Sequence, residues 1–122
     1  MKNIFIFIFC LFAFNANAKE TTFKKELFDK AQAEGKVVIV SSWIKYCSSC
    51  ASQMKVLDKA KNDFDNIEYF AFDVTNKEIA ELFDVQYQTT LLIFKDKKLV
   101  YRSIGETTKD LIYKAIKSSI KI

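Results

Sequence analysis

The sequence predicts an α/β domain: a four-stranded mixed sheet with helices on both faces. Three observations predict it. The run Val37-Val38-Ile39-Val40 is β-branched without alternation, as suits a strand covered on both faces. Helical periodicity flanks that run on either side, so strand, helix and next strand form a right-handed crossover unit. Two later strand-like segments, joined across Lys95-Asp96-Lys97-Lys98, make an antiparallel hairpin.

Taken in order, Phe23, Leu27, Phe28 and Ala31 recur at helical spacing, with Thr21 and Thr22 as caps and Gly35 as a C-terminal stop. This predicts a first helix from about Phe23 to Glu34. The apolar run Val37 to Val40 is the central strand, and a second helix over Ser48 to Asp63 shows Ala51, Met54, Leu57 and Phe64 on one face. The aromatic-rich stretch Ile67 to Val74 is the next strand. Thr75-Asn76-Lys77-Glu78 has capping-box spacing and opens a short helix from Asn76 to Phe83, with Ile79, Leu82 and Phe83 inward. Strands at Thr90 to Phe94 and Leu99 to Ile104 follow. After Gly105, Thr107 to Asp110 supply a cap and Leu111, Ile112, Ala115, Ile116 and Ile120 mark the last helix.

Half of the 122 residues are hydrophobic, enough for one core without metal or disulfide staples. The formal charge of +4 comes from scattered lysine and arginine, not a basic stripe, which argues against nucleic-acid binding. Lys109, Lys114, Lys117 and Lys121 form a solvated face. With only Gly35 and Gly105, the chain has no glycine-rich phosphate loop.

Residues Met1 to Ala18 differ in character: Lys2 alone is charged, Ile4 to Phe14 is apolar, and Ala16-Asn17-Ala18 closes the run. This is the pattern of a secretory signal peptide cleaved after Ala18. An anchor is the competing reading, but the run falls well short of the roughly 20 residues that span a bilayer. Cys10 follows bulky Phe9, which does not suit lipoprotein processing, so Cys10 leaves with the signal. The domain is then Lys19 to Ile122, with two cysteines and no histidine. Its expected location is periplasmic or secreted, an oxidising compartment where one bridge fits two cysteines.

Those cysteines lie in Trp43-Ile44-Lys45-Tyr46-Cys47-Ser48-Ser49-Cys50, at the start of the second helix. Residues i and i+3 of a helix share a side, with Cβ atoms about 5–6 Å apart, so the sulfurs can bond. The first sulfur meets the positive end of the helix dipole, where a thiolate is favoured. Cys47 is therefore the candidate nucleophile and Cys50 the resolving thiol. Three alternatives stand beside this. A zinc site needs ligands that the mature chain lacks, a structural bridge closing so short a loop stabilises little, and simple core packing fits poorly with Ser48 and Ser49. Lys45 is a weaker candidate for favouring the Cys47 thiolate, and it equally suits an exposed strand-end lysine.

The strand at Val37 to Val40, Trp43, Cys47-Ser48-Ser49-Cys50, Asp73, Thr89-Thr90-Leu91-Leu92-Ile93-Phe94 and Gly105 together resemble thioredoxin. The resemblance covers about Phe23 to Ile120. The short N-terminal entry and the Asp73-Val74-Thr75-Asn76 approach are closer in pattern to periplasmic thioredoxin-like domains such as the C-terminal domain of the thiol reductase DsbD. The resemblance implies a sheet in the order 2-1-3-4 with the dithiol at its edge. It implies that Trp43, Tyr46, Gln88 and Thr89 form the substrate-contact surface.

Departures from the family are specific. Ser48 and Ser49 replace Gly-Pro, Tyr46 replaces tryptophan, and Ser41 stands where the family places a buried acid that serves the resolving thiol. Thr89 occupies the position of a cis-proline, and this chain has no proline. A cis bond before a non-proline residue costs about 2.5–4 kcal/mol. The Gln88–Thr89 bond is therefore expected to be trans, the loop rearranged, and Gln88 and Thr89 a more polar rim where the family pairs with substrate backbone.

The expected function is an exported thiol–disulfide oxidoreductase that reduces or shuttles disulfides of partner proteins, with a membrane thiol reductase as electron donor. The Cys47–Cys50 disulfide is the redox group, no other cofactor is expected, and the chain is expected to be a monomer. Two alternatives belong to other classes. One is a binding or assembly module with weak turnover. The other is a dimer sharing zinc or an iron–sulfur cluster through Cys47 and Cys50 of each chain.

Overall fold

A computed structural model describes residues 21–122. The signal pattern, Cys10 and the cleavage point after Ala18 lie outside them. The elements run α1 (Lys25–Ala33), β1 (Val37–Trp43), α2 (Ser48–Asp63), β2 (Ile67–Asp73), α3 (Lys77–Leu82), β3 (Thr90–Lys95), β4 (Lys98–Ile104) and α4 (Lys109–Ile120). The sheet order is β2-β1-β3-β4. β1 pairs parallel with β2, from Val37 opposite Ile67 to Trp43 opposite Asp73. It pairs antiparallel with β3, Ile39 opposite Ile93. β3 and β4 form the hairpin, turned by Asp96 and Lys97, both in the left-handed region that suits a two-residue hairpin loop.

Burial on both faces of β1 explains its unbroken apolar run. On one face Val37 and Ile39 meet Leu57 and Ala60 of α2 and Ile112 and Ile116 of α4. On the other, Val38 and Val40 meet a phenylalanine cluster from α1 and the end of α3. Among the described residues, no helix is long and apolar enough to cross a membrane.

Several local expectations are corrected. β1 runs on through Ser41 and Ser42 to Trp43, because both serines are fully buried and ladder-paired with β2. Their low strand propensity hid this extension. Thr21 and Thr22 do not cap α1. Instead the backbone of Thr21 and Phe23 pairs with Ala71 at 2.8 and 3.0 Å, lengthening the β2 edge, and α1 starts later at Lys25. Asn76, not Thr75, caps α3, accepting from the Ile79 N–H at 3.2 Å. Thr75 turns back and donates through N–H and hydroxyl to Asp73 at 2.9 and 2.8 Å, which holds that carboxyl below its ordinary range. Leu27, Leu82 and Leu111 are exposed, so the inward faces of their helices are narrower than their periodicity suggested. In the short α3 the burial falls to Phe83 and Val85, just past its last turn.

At the position where the resemblance implies a buried acid, the Ser41 hydroxyl lies 2.9 Å from the Tyr69 hydroxyl, both buried against the α2 face. Burial pushes the Tyr69 phenol well above its ordinary value, with the Ser41 hydrogen bond pulling the other way. An unfolded tyrosine ionises near pH 10 while the folded one keeps its proton, so stability present below about pH 10 falls as pH rises past it. Tyr69→Phe should weaken that alkaline slope and, by orphaning Ser41 Oγ, cost about 1–3 kcal/mol at neutral pH. Urea midpoints at pH 8 and 11 test both. Tyr113, pushed up to about 12 by burial and by its hydrogen bond to Asp63, keeps part of the slope in the variant. An unchanged slope would exclude Tyr69 as its source.

Candidate active site

At the end of β1, Tyr46 adopts φ +64°, costly for a residue with a side chain, and its ring stands fully in solvent. The turn it makes delivers Cys47 as the N-cap of α2. The Cys47 sulfur accepts from the Cys50 N–H at 3.1 Å, one of the donors a helix start leaves unpaired. Cys47 and Cys50 are joined as a disulfide with their Cα atoms 5.3 Å apart. Cys47 is half-buried, whereas Cys50 is only 2 % exposed. An incoming sulfur therefore reaches Cys47 first, at the positive end of the helix.

An open groove of about 610 Å³ runs along one side of the disulfide, lined by Trp43, Ile44, Tyr46, Met54 and both cysteines. Lys45 also borders it, exposed, and its charge acts on Asp73, though less than the two Thr75 hydrogen bonds do.

The other side is closed by the loop before β3. All peptide bonds in the described residues are trans, and Thr89 sits at φ +62°, a strained conformation for a β-branched residue. Thr89 N–H donates to Ser42 O at 2.9 Å, and Thr89 O accepts from Gly105 N–H at 2.8 Å and from Gln53 Nε2 at 3.3 Å. Ser42 Oγ accepts from Thr90 N–H at 3.0 Å and donates to Tyr87 O at 2.8 Å. Gln53 Nε2 also donates to Glu106 O at 2.8 Å, tying α2 to the approach to α4. Held this way, Thr89 is 3 % exposed and its Oγ1 lies 3.1 Å from Cys50 Sγ, 3.6 Å from Cys47 Sγ and 3.0 Å from Ser49 Oγ.

The residues singled out by sequence thus fall into two groups. Trp43, Tyr46, Cys47 and Cys50 share the groove. Thr89 lies across the disulfide and faces the sulfurs instead of solvent, so only Gln88 remains exposed at the expected rim. Ser42 and Gln53 were missed. For Gln53 a signal existed: the inward stripe of α2 is Cys50, Gln53, Leu57 and Ala60, while Ala51 is exposed. A fully buried amide on that stripe must serve backbone partners. Ser42 has no such signal, because its partners lie 45 to 48 residues away. Among the described residues, no three or more His, Cys, Asp or Glu side chains gather as a metal site.

A family model for thioredoxin matches residues 16–118. The chain belongs to the thioredoxin family. Thioredoxin from Chlamydia muridarum is 31% identical over 81 residues, covering 66% of this chain and 79% of that one. The H-type thioredoxin of Fagopyrum esculentum is 26% identical over 90 residues, 73% of this chain and 78% of that one. Among solved structures, Trxlp from Edwardsiella tarda superimposes with a TM-score of 0.72 at 26% identity, covering 78% of this chain and 95% of that one. Fasciola hepatica thioredoxin shares the fold at a TM-score of 0.69 and 21% identity, covering 78% and 89%. With its Cys47–Cys50 pair, this thioredoxin-family chain is a thiol–disulfide oxidoreductase.

Proposed function

We propose that this oxidoreductase is exported and reduces or shuttles disulfides of partner proteins in the periplasm or outside the cell. One observation carries the exchange chemistry: a disulfide with one accessible sulfur, Cys47, at a helix N-terminus beside an open, largely apolar groove. In the reducing direction the Cys47 thiolate attacks a sulfur of the partner's disulfide, and one partner sulfur leaves as thiolate. Cys50 then attacks Cys47 Sγ, the mixed disulfide breaks, and the reduced partner departs while the Cys47–Cys50 bond re-forms. The dithiol is the whole redox apparatus, so the chain works as a monomer without another cofactor. A membrane thiol reductase returns electrons to the oxidised pair. The charged start, apolar run and Ala16-Asn17-Ala18 ending of the N-terminus support export.

The groove residues bind, and Gln88 borders the substrate. Both backbone groups of Thr89 are already paired internally, so pairing with an extended substrate falls to Gln88.

Insulin reduction driven by dithiothreitol tests the activity, and mass analysis of the mature protein tests the cut after Ala18. Loss of wild-type activity with retained partner capture would favour a binding module instead. A potential near about −120 mV, that of a strong oxidant, would reverse the direction of flow. Tyr46→Ala should raise KM for a protein substrate about fivefold with kcat little changed, since an exposed ring beside the nucleophile contributes binding alone. An equal fall in kcat at unchanged KM would place Tyr46 in the chemistry.

A further inference from the structure

We infer that the Thr89 hydroxyl, backed by Ser49, is a catalytic hydrogen-bond donor to Cys50 Sγ that stabilises the thiolate released there when the disulfide opens. This rests on the exchange at Cys47 proposed above.

The donor direction follows from chemistry. A disulfide sulfur carries no hydrogen, so the bond across the 3.1 Å between Thr89 Oγ1 and Cys50 Sγ uses the proton of Thr89. That leaves the lone pairs of Thr89 Oγ1 to accept, and the Ser49 hydroxyl gives its proton across its shorter contact, 3.0 Å to Thr89 Oγ1 against 3.4 Å to Cys47 Sγ. The result is a two-hydroxyl chain from Ser49 through Thr89 to Cys50, in which each bond polarises the next. Cys47 Sγ accepts from the Cys50 N–H at 3.1 Å and meets Ser49 Oγ and Thr89 Oγ1 only at the longer distances of 3.4 and 3.6 Å. Among the described residues, Thr89 is the sole hydrogen-bonding partner of Cys50 Sγ. At 2 % exposure, Cys50 has little water to solvate a negative charge, so that one donor matters.

The position is also enforced. Ser42, Gly105 and Gln53 pair both backbone groups of Thr89 and keep it in the left-handed region, a strained setting that aims its side chain at the sulfurs. When an external thiolate attacks Cys47 Sγ, a new bond forms between the two sulfurs and the Cys47–Cys50 bond breaks. Its electron pair moves to Cys50 Sγ, no proton is transferred, and the Thr89 O–H shortens onto the new anion. A better-stabilised leaving thiolate departs faster.

The test is the rate at which dithiothreitol opens the disulfide at fixed pH, followed by the fluorescence of Trp43, the single tryptophan. Thr89→Val keeps the branched shape and removes the hydroxyl. It should slow opening about tenfold, the scale of a hydrogen bond to a charged group. Thr89→Ser should return the rate to within about twofold of wild type, and Ser49→Ala should slow it about two- to threefold. Thr89→Val at the wild-type rate, or Thr89→Ser as slow as Thr89→Val, would overturn the inference, the second outcome because it points to loop packing. Should Thr89→Val not fold, Thr89→Ala, which also lacks the hydroxyl, takes its place: a rate within about twofold of Thr89→Ser overturns the inference, and a rate about tenfold slower supports it. This reaction needs no partner protein. Inactivity on protein substrates would therefore count against the proposed function and leave this rate comparison intact.

Discussion

Cys47→Ser should reduce turnover of a protein disulfide by at least about a thousandfold, whereas Cys50→Ala should retain the first attack and accumulate mixed disulfides. Loss of the nucleophile removes the covalent route, an effect of the size seen when a nucleophile that acts as one unit with its partners is deleted. The asymmetry between the two cysteines comes from their placement. Cys47 is half-buried at the helix start and borders the groove, while Cys50 lies one turn deeper at 2 % exposure, with Cys47 Sγ as the sulfur within its reach. Insulin turbidity measures the first effect, and non-reducing electrophoresis of Cys50→Ala with a protein substrate measures the second. Mixed disulfides on the Cys47→Ser variant instead would exchange the two roles.

The largest effect on stability is expected at Phe83. Its ring packs against Phe23, Phe28, Phe72 and Phe94 with centroid separations of 5.1, 5.3, 5.9 and 5.7 Å, joining the segment before α1, α1 itself, β2 and β3. Phe83→Ala should cost about 3–5 kcal/mol through lost burial and the cavity left behind. Against a typical total of about 5–15 kcal/mol, that is a large share. Phe83→Leu, which keeps most of the apolar volume, should recover more than half. Urea denaturation with an unchanged m-value tests it, and a cost below about 1 kcal/mol would mean that the cluster repacks around the gap. The backbone there is secured independently, because Arg102 donates to the carbonyls of Phe83 and Asp84 at 2.7 and 3.1 Å. The loss should therefore appear in stability first and leave the disulfide geometry to the folded fraction.

Where the physics is local, sequence and structure agree closely. The helix over Ser48 to Asp63 is found at its expected bounds, since its polar start and apolar periodicity act within a few residues. The hairpin also stands as expected, and the sheet order is the one that the resemblance implied. Disagreements gather where the partner is distant. Thr21 and Thr22 have the composition of caps, but β-pairing with Ala71, far along the chain, decides their conformation. Ser41 and Ser42 weaken a strand by propensity, yet burial, pairing of both with β2 and pairing of Ser41 with β3 override it.

The amino-acid sequence by itself determined the α/β class, the run of elements and the pair Cys47 and Cys50 at a helix start, because periodicity, β-branching and i,i+3 spacing are properties of neighbouring residues. Only the tertiary structure decided what surrounds the pair. Thr89 turns inward onto the sulfurs instead of forming a substrate rim, Gln53 braces it from within α2, and Tyr69 answers Ser41 where the family has an acid. Each of these contacts spans 28 to 39 residues of chain. Which way such a side chain points is set by the sheet that brings the segments together, not by any pattern within either one.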